Sequence, residues 1–179
     1  KREKINFCLV GEPTNPNKLG EMIKIGRRGS ISGTIMIYGS QGHVAYPHLS
    51  NNPVNTLINI CKKLNEHKLD KGNKNFQPSN LEITSVNVDN TATNVIPASA
   101  RAQFNVRFNN LHTSSSLKKK ITSIVKILSK KNKCKFKINF HVSGESFLTK
   151  PNKTIHMARN IIKKITKITP VFSTTGGTS

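Results

Sequence analysis

The chain has 179 residues and a formal net charge of +21, from 29 Lys and Arg against 8 Asp and Glu, with 35% hydrophobic residues. That length allows one ordinary domain or a small one with added pieces, and no apolar run reaches the ~20 residues a membrane helix needs. Three cysteines, Cys8, Cys61 and Cys134, without CxxC spacing exclude a disulfide scaffold and are expected to be buried free thiols in a reducing compartment.

Most of the positive excess is Lys spread over predicted helix faces and loops, which reads as a solvated surface rather than a nucleic-acid footprint. No secretory-leader pattern is visible, so a cytoplasmic location is expected, without a membrane partner. The chain opens without an initiator Met and closes on Gly176-Gly177-Thr178-Ser179. Both ends are therefore expected to be cuts within a longer protein.

In chain order, Ile5 to Val10 is an apolar run that stops at Gly11-Glu12-Pro13. It predicts a buried strand delivering a carboxylate at its C-terminal end, where α/β proteins place functional groups. Met22 to Ile25 is a second short strand, with Glu21 at its start. Ile31, Ile35 and Ile37 alternate, predicting a strand from Ser30 to about Tyr38. Asn52 and Pro53 are suited to the N-cap and first position of a helix that carries Val54, Leu57, Ile58, Cys61 and Leu64 inward. A polar loop over 70–80 leads to a strand over Leu81–Val88, and a further loop runs over 89–97.

Ala100, Ala102, Phe104, Val106 and Phe108 alternate strictly with Arg101, Gln103, Asn105 and Arg107, which is the period of a half-buried strand. Ser114 is the predicted cap of a helix with the stripe Leu117, Ile121, Ile124, Val125 and Leu128. Cys134, Phe136, Ile138, Phe140 and Val142 alternate in the next strand. The last elements are a helix over 152–167 with Ile155, Ala158, Ile162 and Ile165 inward, and a short strand over 171–174.

Residues 30–143 thus read β-α-β-β-α-β, the order of a ferredoxin-like sheet with two helices on one face. The expected class is α+β. Residues 28–145 form an inserted ferredoxin-like unit, flanked by residues 1–27 and 146–179 as fragments of a different, α/β domain.

Chemistry concentrates at the ends of one short predicted strand. Gly26-Arg27-Arg28-Gly29-Ser30 opens it, and Gly42-His43-Val44-Ala45-Tyr46-Pro47-His48 follows its close. Such donors read as a site for an anionic or oxyanionic group, with a basic surface turn as the alternative. Taken alone, His43 fits an oxyanion donor or a surface histidine, and Glu12 a metal ligand or a strand-end carboxylate paired with a lysine. Arg27, Arg28 and Arg107 can each grip a carboxylate bidentately. Asn94 fits an amide-orienting group or a turn residue. His48, His67, His112, His141 and His156 have no evident partners, and Asp70 reads as an exposed loop acid. The chain carries no HExxH and no second carboxylate near Glu12, so a complete metal site, which needs about three protein ligands, is not expected within it.

Gly11-Glu12-Pro13, Gly26-Arg27-Arg28-Gly29-Ser30, Gly42 to His48 with Asn52-Pro53, Asn94-Val95-Ile96-Pro97 and Thr174-Thr175-Gly176-Gly177-Thr178-Ser179 follow one another in a familiar order. Together they resemble the co-catalytic dizinc aminoacylase and carboxypeptidase family over essentially the whole chain. The resemblance implies zinc-dependent amide hydrolysis, with two zinc ions per active site and cobalt able to replace them. It implies a catalytic α/β domain and an inserted ferredoxin-like domain that makes a homodimer through residues 28–145 and serves as a lid.

By the same resemblance Glu12 is a zinc ligand, and His43 reaches across the dimer to stabilise the partner's tetrahedral oxyanion. Asn94 contacts substrate on the same crossing element, while Arg27, Tyr46, Arg107, Gly177 and Thr178 line the pocket, with Ser30 nearby. Thr93-Asn94 stands where relatives carry Asn-Asn, one polar contact fewer. The Ala-Tyr-Pro-His and Gly-Arg-Arg-Gly-Ser runs point to an N-succinylated dicarboxylic amino acid on the route to lysine and peptidoglycan. Acetylornithine deacetylation and dipeptide cleavage are the alternatives. The remaining zinc ligands and the general base are implied to lie outside these residues, so the 179-residue stretch alone is expected to be inactive. A basic ferredoxin-like sheet is also an RNA-recognition fold, but no aromatic platform is expected on its open face.

Overall fold

The computed structural model describes residues 7–11 and 15–175. Its elements are β1 (Met22–Lys24), β2 (Gly26–Arg27), β3 (Gly29–Tyr38), β4 (Gly42–His43), α1 (Pro53–Glu66), β5 (Asn80–Asn87) and β6 (Val95–Ile96). They continue with β7 (Ser99–Phe108), α2 (Ser114–Lys131), β8 (Lys135–Gly144), β9 (Phe147–Leu148), α3 (Lys153–Thr166) and β10 (Val171–Ser173).

The apolar alternation builds a four-stranded antiparallel sheet in the order β5-β7-β3-β8, the ferredoxin-like arrangement. Ile31, Ile35 and Ile37 of β3 and Ala100, Ala102, Phe104, Val106 and Phe108 of β7 are buried beneath the helices. Leu57, Ile60 and Leu64 of α1 and Leu117, Ile121 and Val125 of α2 close that core. Gly29 and Gly33 lie in the inward register, directly opposite Phe108 and Phe104. A Cβ on either glycine would run into the facing ring, so each Phe fills the volume its partner lacks, the device that restores packing at strand glycines.

Helix starts follow local chemistry. The Asn52 side chain accepts from Val54 N–H at 2.9 Å, with Pro53 in the first turn. α2 is capped by Thr113, one residue before the expected Ser114, because Thr113 and Ser116 satisfy each other's backbone donors. The Glu145 carboxylate accepts from Ser114 N–H at 3.1 Å, placing negative charge at the positive end of the helix.

The flanking residues make two smaller pairings. β1 runs parallel to β10, and β2 pairs antiparallel with β9. α3 lies on β10 through an edge-to-face His156–Phe172 contact and the Arg159 guanidinium 5.1 Å above the Phe172 ring.

Several expectations need correction. Of the strand predicted over Ile5–Val10, the first two residues lie outside the described residues; Phe7 to Val10 are exposed and irregular, with no partner strand among the described residues. Cys8 is accordingly exposed rather than buried, while Cys61 is half-buried and Cys134 buried. Ile58 is 55% exposed, and Ile60, unassigned in the sequence reading, takes the core position. Ile165 is also exposed; with Met157 and Ile161 it forms an apolar stripe on the outer side of α3. Val95–Ile96, expected as loop, forms a two-residue ladder with Gly42–His43. Asp70 and His112 are a largely buried pair at 3.1 Å, not an exposed acid and an unpartnered imidazole.

Candidate functional site

β3 decides the geometry. It is ten residues long and regular, so at about 3.3 Å per residue its ends lie roughly 30 Å apart. The arginine run opens it and the His43 run follows its close. The donors of the two runs therefore form two separate groups, one beyond each end of the strand.

At the first end, Ser30 pairs with Arg107 of β7 on one side and Gly144 of β8 on the other. Ser30 is buried, and Asn105 Nδ2 donates to its hydroxyl at 3.4 Å and to Ser32 at 3.0 Å. Arg27 is half-buried on β2, with its guanidinium 5.8 Å from the Phe147 ring centroid. A Cβ at Gly144 would sit 2.9 Å from Arg27 Nη2, so a side chain there would compete with the guanidinium for space. Among the described residues, Arg27 Nε is buried without a hydrogen-bond partner, a cost unless something accepts from it. Arg28 points elsewhere, donating to Pro78 O at 3.3 Å and Asn80 Oδ1 at 3.2 Å.

At the second end, the β4–β6 ladder sets His43 opposite Val95, and Val44 N–H donates to Asn94 O at 3.1 Å. His43 and Asn94, 51 positions apart in the chain, are thus held together by backbone pairing. Ala45 N–H donates to His43 Nδ1 at 3.1 Å. A ring nitrogen that accepts carries no proton, so the neutral imidazole bears its hydrogen on Nε2. Tyr46 sits beside it, ring centroids 6.1 Å apart, and His43, Tyr46 and Asn94 are all exposed.

Lys24 was missed by sequence reasoning. Parallel pairing of β1 and β10 places it opposite Ser173, and its Nζ donates to Thr175 Oγ1 at 2.8 Å. Burial pulls its pKa below the ordinary lysine value. Nothing in a lone Lys within a three-residue strand signals this; the register alone does.

Glu12, Gly177 and Thr178 lie outside the described residues. Among the described residues no group of three or more His, Cys, Asp or Glu could hold a metal ion, so these residues do not by themselves fit a zinc site. No helix among them is long and apolar enough to cross a membrane.

Residues 25–133 match the family described as Peptidase dimerisation domain, and the chain belongs to it. Among curated proteins it is similar to the succinyl-diaminopimelate desuccinylase of Pelagibacter ubique, 65% identical over all 179 residues, and to that of Parvibaculum lavamentivorans, 50% identical over the same span. It covers 47% and 45% of those proteins, so the chain spans about half the length of the curated relatives it matches. Among solved structures, an aminopeptidase PepT from Bacillus cereus aligns with 89% of this chain and 41% of its own, at a TM-score of 0.74 and 15% identity. A Staphylococcus aureus tripeptidase aligns over 87% and 40%, at 0.72 and 15%. At that identity these two likenesses concern the fold.

Proposed function

We propose that these residues are the lid and dimerisation portion of a zinc-dependent hydrolase that splits N-succinyl-LL-2,6-diaminopimelate into succinate and LL-2,6-diaminopimelate, in a cytoplasmic homodimer serving lysine and peptidoglycan synthesis. Residues 28–145 are the inserted unit; 1–27 and 146–179 belong to the catalytic domain. In the complete enzyme two zinc ions would activate the hydrolytic water, Glu12 would be the ligand this stretch contributes, and the other ligands and the base would come from elsewhere. The 179 residues alone are expected to be inactive.

The observation that carries this reading is the separation of the two donor clusters. Arginines and a histidine placed at opposite ends of a strand roughly 30 Å long cannot serve one small substrate within one chain. A two-fold dimer solves this, because it brings one end of a protomer to the opposite end of its partner. Arg27 and Arg107 then grip substrate carboxylates, with Ser30, Gly177 and Thr178 lining the same pocket. His43 of the second protomer donates its Nε2–H to the developing oxyanion, worth roughly 2.7–4 kcal/mol for a single such donor. Tyr46 and Asn94 accompany it. The β5 side of the sheet suits the contact. Its edge carries no charge from Ile83 to Asn87, whereas the β8 edge bears Lys135 and Lys137, residues that blunt edge pairing. Val86 on β5 and Ile58 on the adjoining α1 are both more than half exposed.

Subunit mixing tests the arrangement. Full-length His43→Ala and Arg27→Ala chains are each nearly inactive on the succinylated substrate. Mixed dimers hold one site with both residues intact, so re-association of equal amounts restores about a quarter of wild-type turnover. No recovery means His43 acts within its own chain or not at all. Wild-type cleavage of acetylornithine or a dipeptide, with none of the succinylated substrate, would keep the dimer and overturn the substrate.

A further inference from the structure

The loop over 70–79 is an excursion between α1 and β5, and it is built more firmly than a connection requires. Asp70 Oδ1 accepts from Gly72 N–H at 2.6 Å, Asn109 Nδ2 at 2.7 Å and Ser79 N–H at 3.2 Å. Asp70 Oδ2 faces His112 Nε2 at 3.1 Å, and the Asp70 side chain is only 8% exposed. Asn109, fully buried, donates its backbone N–H to Ser79 Oγ at 2.9 Å and its side chain to Gln77 O at 3.2 Å. One carboxylate and one amide therefore fix both ends of the loop to the end of β7. Within it, Asn73 and Phe76 exchange backbone hydrogen bonds, Asn73 Oδ1 accepts from Asn75 and Phe76 N–H, and the Phe76 ring is buried. Gly72 turns the chain at φ +76°, where any larger residue is strained.

What this scaffold presents is the Asn75 carbonyl. It accepts a hydrogen bond from the Thr174 hydroxyl, 99 positions away, just past β10. Thr174 is 7% exposed, and its methyl lies 3.1 Å from where a Gly26 Cβ would stand, so it sits between the loop and β2. Next to it, Ile25 N–H donates to Ser173 O at 2.9 Å and Thr175 N–H to Ser173 Oγ at 3.1 Å. A buried hydroxyl without an acceptor is costly, so Thr174 and the loop tip specify each other's position.

We propose that the 70–79 loop is a latch: Asp70 is a positioning residue that holds the Asn75 carbonyl against Thr174, and this contact sets the ferredoxin-like unit against the strand end that enters the pocket. The pocket half of this statement rests on the reading above, in which residues beyond Thr175 line the substrate site. Asp70 and Thr174 touch no substrate and act through the backbone between them.

The test uses the full-length protein and three variants, Asp70→Asn, Thr174→Val and Thr174→Ser, read by amide hydrogen exchange and by steady-state kinetics. Exchange at Ile25 and Thr175 rises several-fold in Asp70→Asn and Thr174→Val, and Thr174→Ser, which keeps the donor, stays near wild type. One lost buried hydrogen bond, about 1 kcal/mol, corresponds to roughly fivefold. KM for the succinylated substrate rises by a similar factor while kcat is nearly unchanged. Faster exchange confined to Gly72 and Ser79 in Asp70→Asn, with Thr174→Val silent, would mean the network is only a local brace and overturns the latch. Faster exchange at Ile25 and Thr175 with KM unmoved overturns its positioning role. The expected exchange pattern in a protein whose wild type does not cleave the substrate leaves the latch standing and removes the proposed activity instead.

Discussion

The two ends of β3 are built oppositely. At the arginine end the candidate groups are set into the fold: Ser30 is buried, Arg27 half-buried against Phe147 and Gly144, and Phe108 fills the place of the Gly29 side chain. At the His43 end the backbone is fixed by a two-residue ladder, but His43, Tyr46 and Asn94 stand in solvent. A preorganised, enclosed end needs only a ligand. An ordered but uncovered end needs another surface before its groups can work in a dry site. The contrast teaches that substitutions at the first end cost stability, whereas those at the second leave the fold intact and, on the proposed function, change activity alone.

The largest expected effect is on folding. Phe108→Ala removes a fully buried ring from the arginine end and exposes the Gly29 gap, costing about 3–5 kcal/mol in denaturant unfolding. A loss below 1 kcal/mol would erase the contrast at its buried side. Next comes His43→Ala, expected to lower kcat about 10²–10³-fold while leaving the urea midpoint almost unmoved, since exposed positions change stability by roughly 0.5 kcal/mol or less. A large destabilisation by His43→Ala would show that the second end is structural.

Gly33→Ala sharpens the point from the middle of β3. Its Cβ would strike the Phe104 ring, so a loss of about 1–3 kcal/mol is expected from overpacking, although alanine is otherwise the better strand residue. Arg27→Ala touches both properties. It loses the stacking on Phe147, about 0.5–1 kcal/mol, and in the complete enzyme raises KM so far that turnover of the succinylated substrate nearly vanishes at ordinary concentrations. Unchanged KM with lowered stability would make Arg27 structural.

The smallest effect is a pH dependence. Burial alone would raise the Asp70 carboxyl pKa, but hydrogen bonds from Ser79, Gly72 and Asn109 outweigh it and leave the value below the ordinary aspartate range. Stability from this group is therefore fully present above the unfolded value of about 3.9 and fades as pH falls through the lower folded value. Urea midpoints between pH 6 and pH 3 should fall less steeply in Asp70→Asn than in the wild type; equal slopes would show that Asp70 does not couple to folding.

The core of the fold was legible because it is periodic. Strict alternation in Ala100–Phe108 and in Phe136–Val142, and helical spacing in Leu117–Leu128, each determine which face is buried before any neighbour is known. Glycine-bracketed runs single out His43 and Arg27 as the candidates on which the proposed function rests. Where the reading failed, the signal was not local. Ile58 and Ile60 are equally apolar, and only the placement of α1 over β7 selects Ile60 for the core. Phe7 to Val10 has a strand's composition, but a strand needs a partner to satisfy its backbone.

By itself, then, the sequence determined the element order, the inward faces and the residue types able to meet an anion or an oxyanion, because those properties belong to segments of ten to twenty residues. Tertiary structure alone decided the distances between them. The length of β3 separates His43 from Arg27, the β4–β6 ladder joins His43 to Asn94, and the loop held by Asp70 brings Asn75 to Thr174. Such contacts span tens of positions, and their partners are chosen by where the whole sheet and its helices come to rest, which no local pattern encodes.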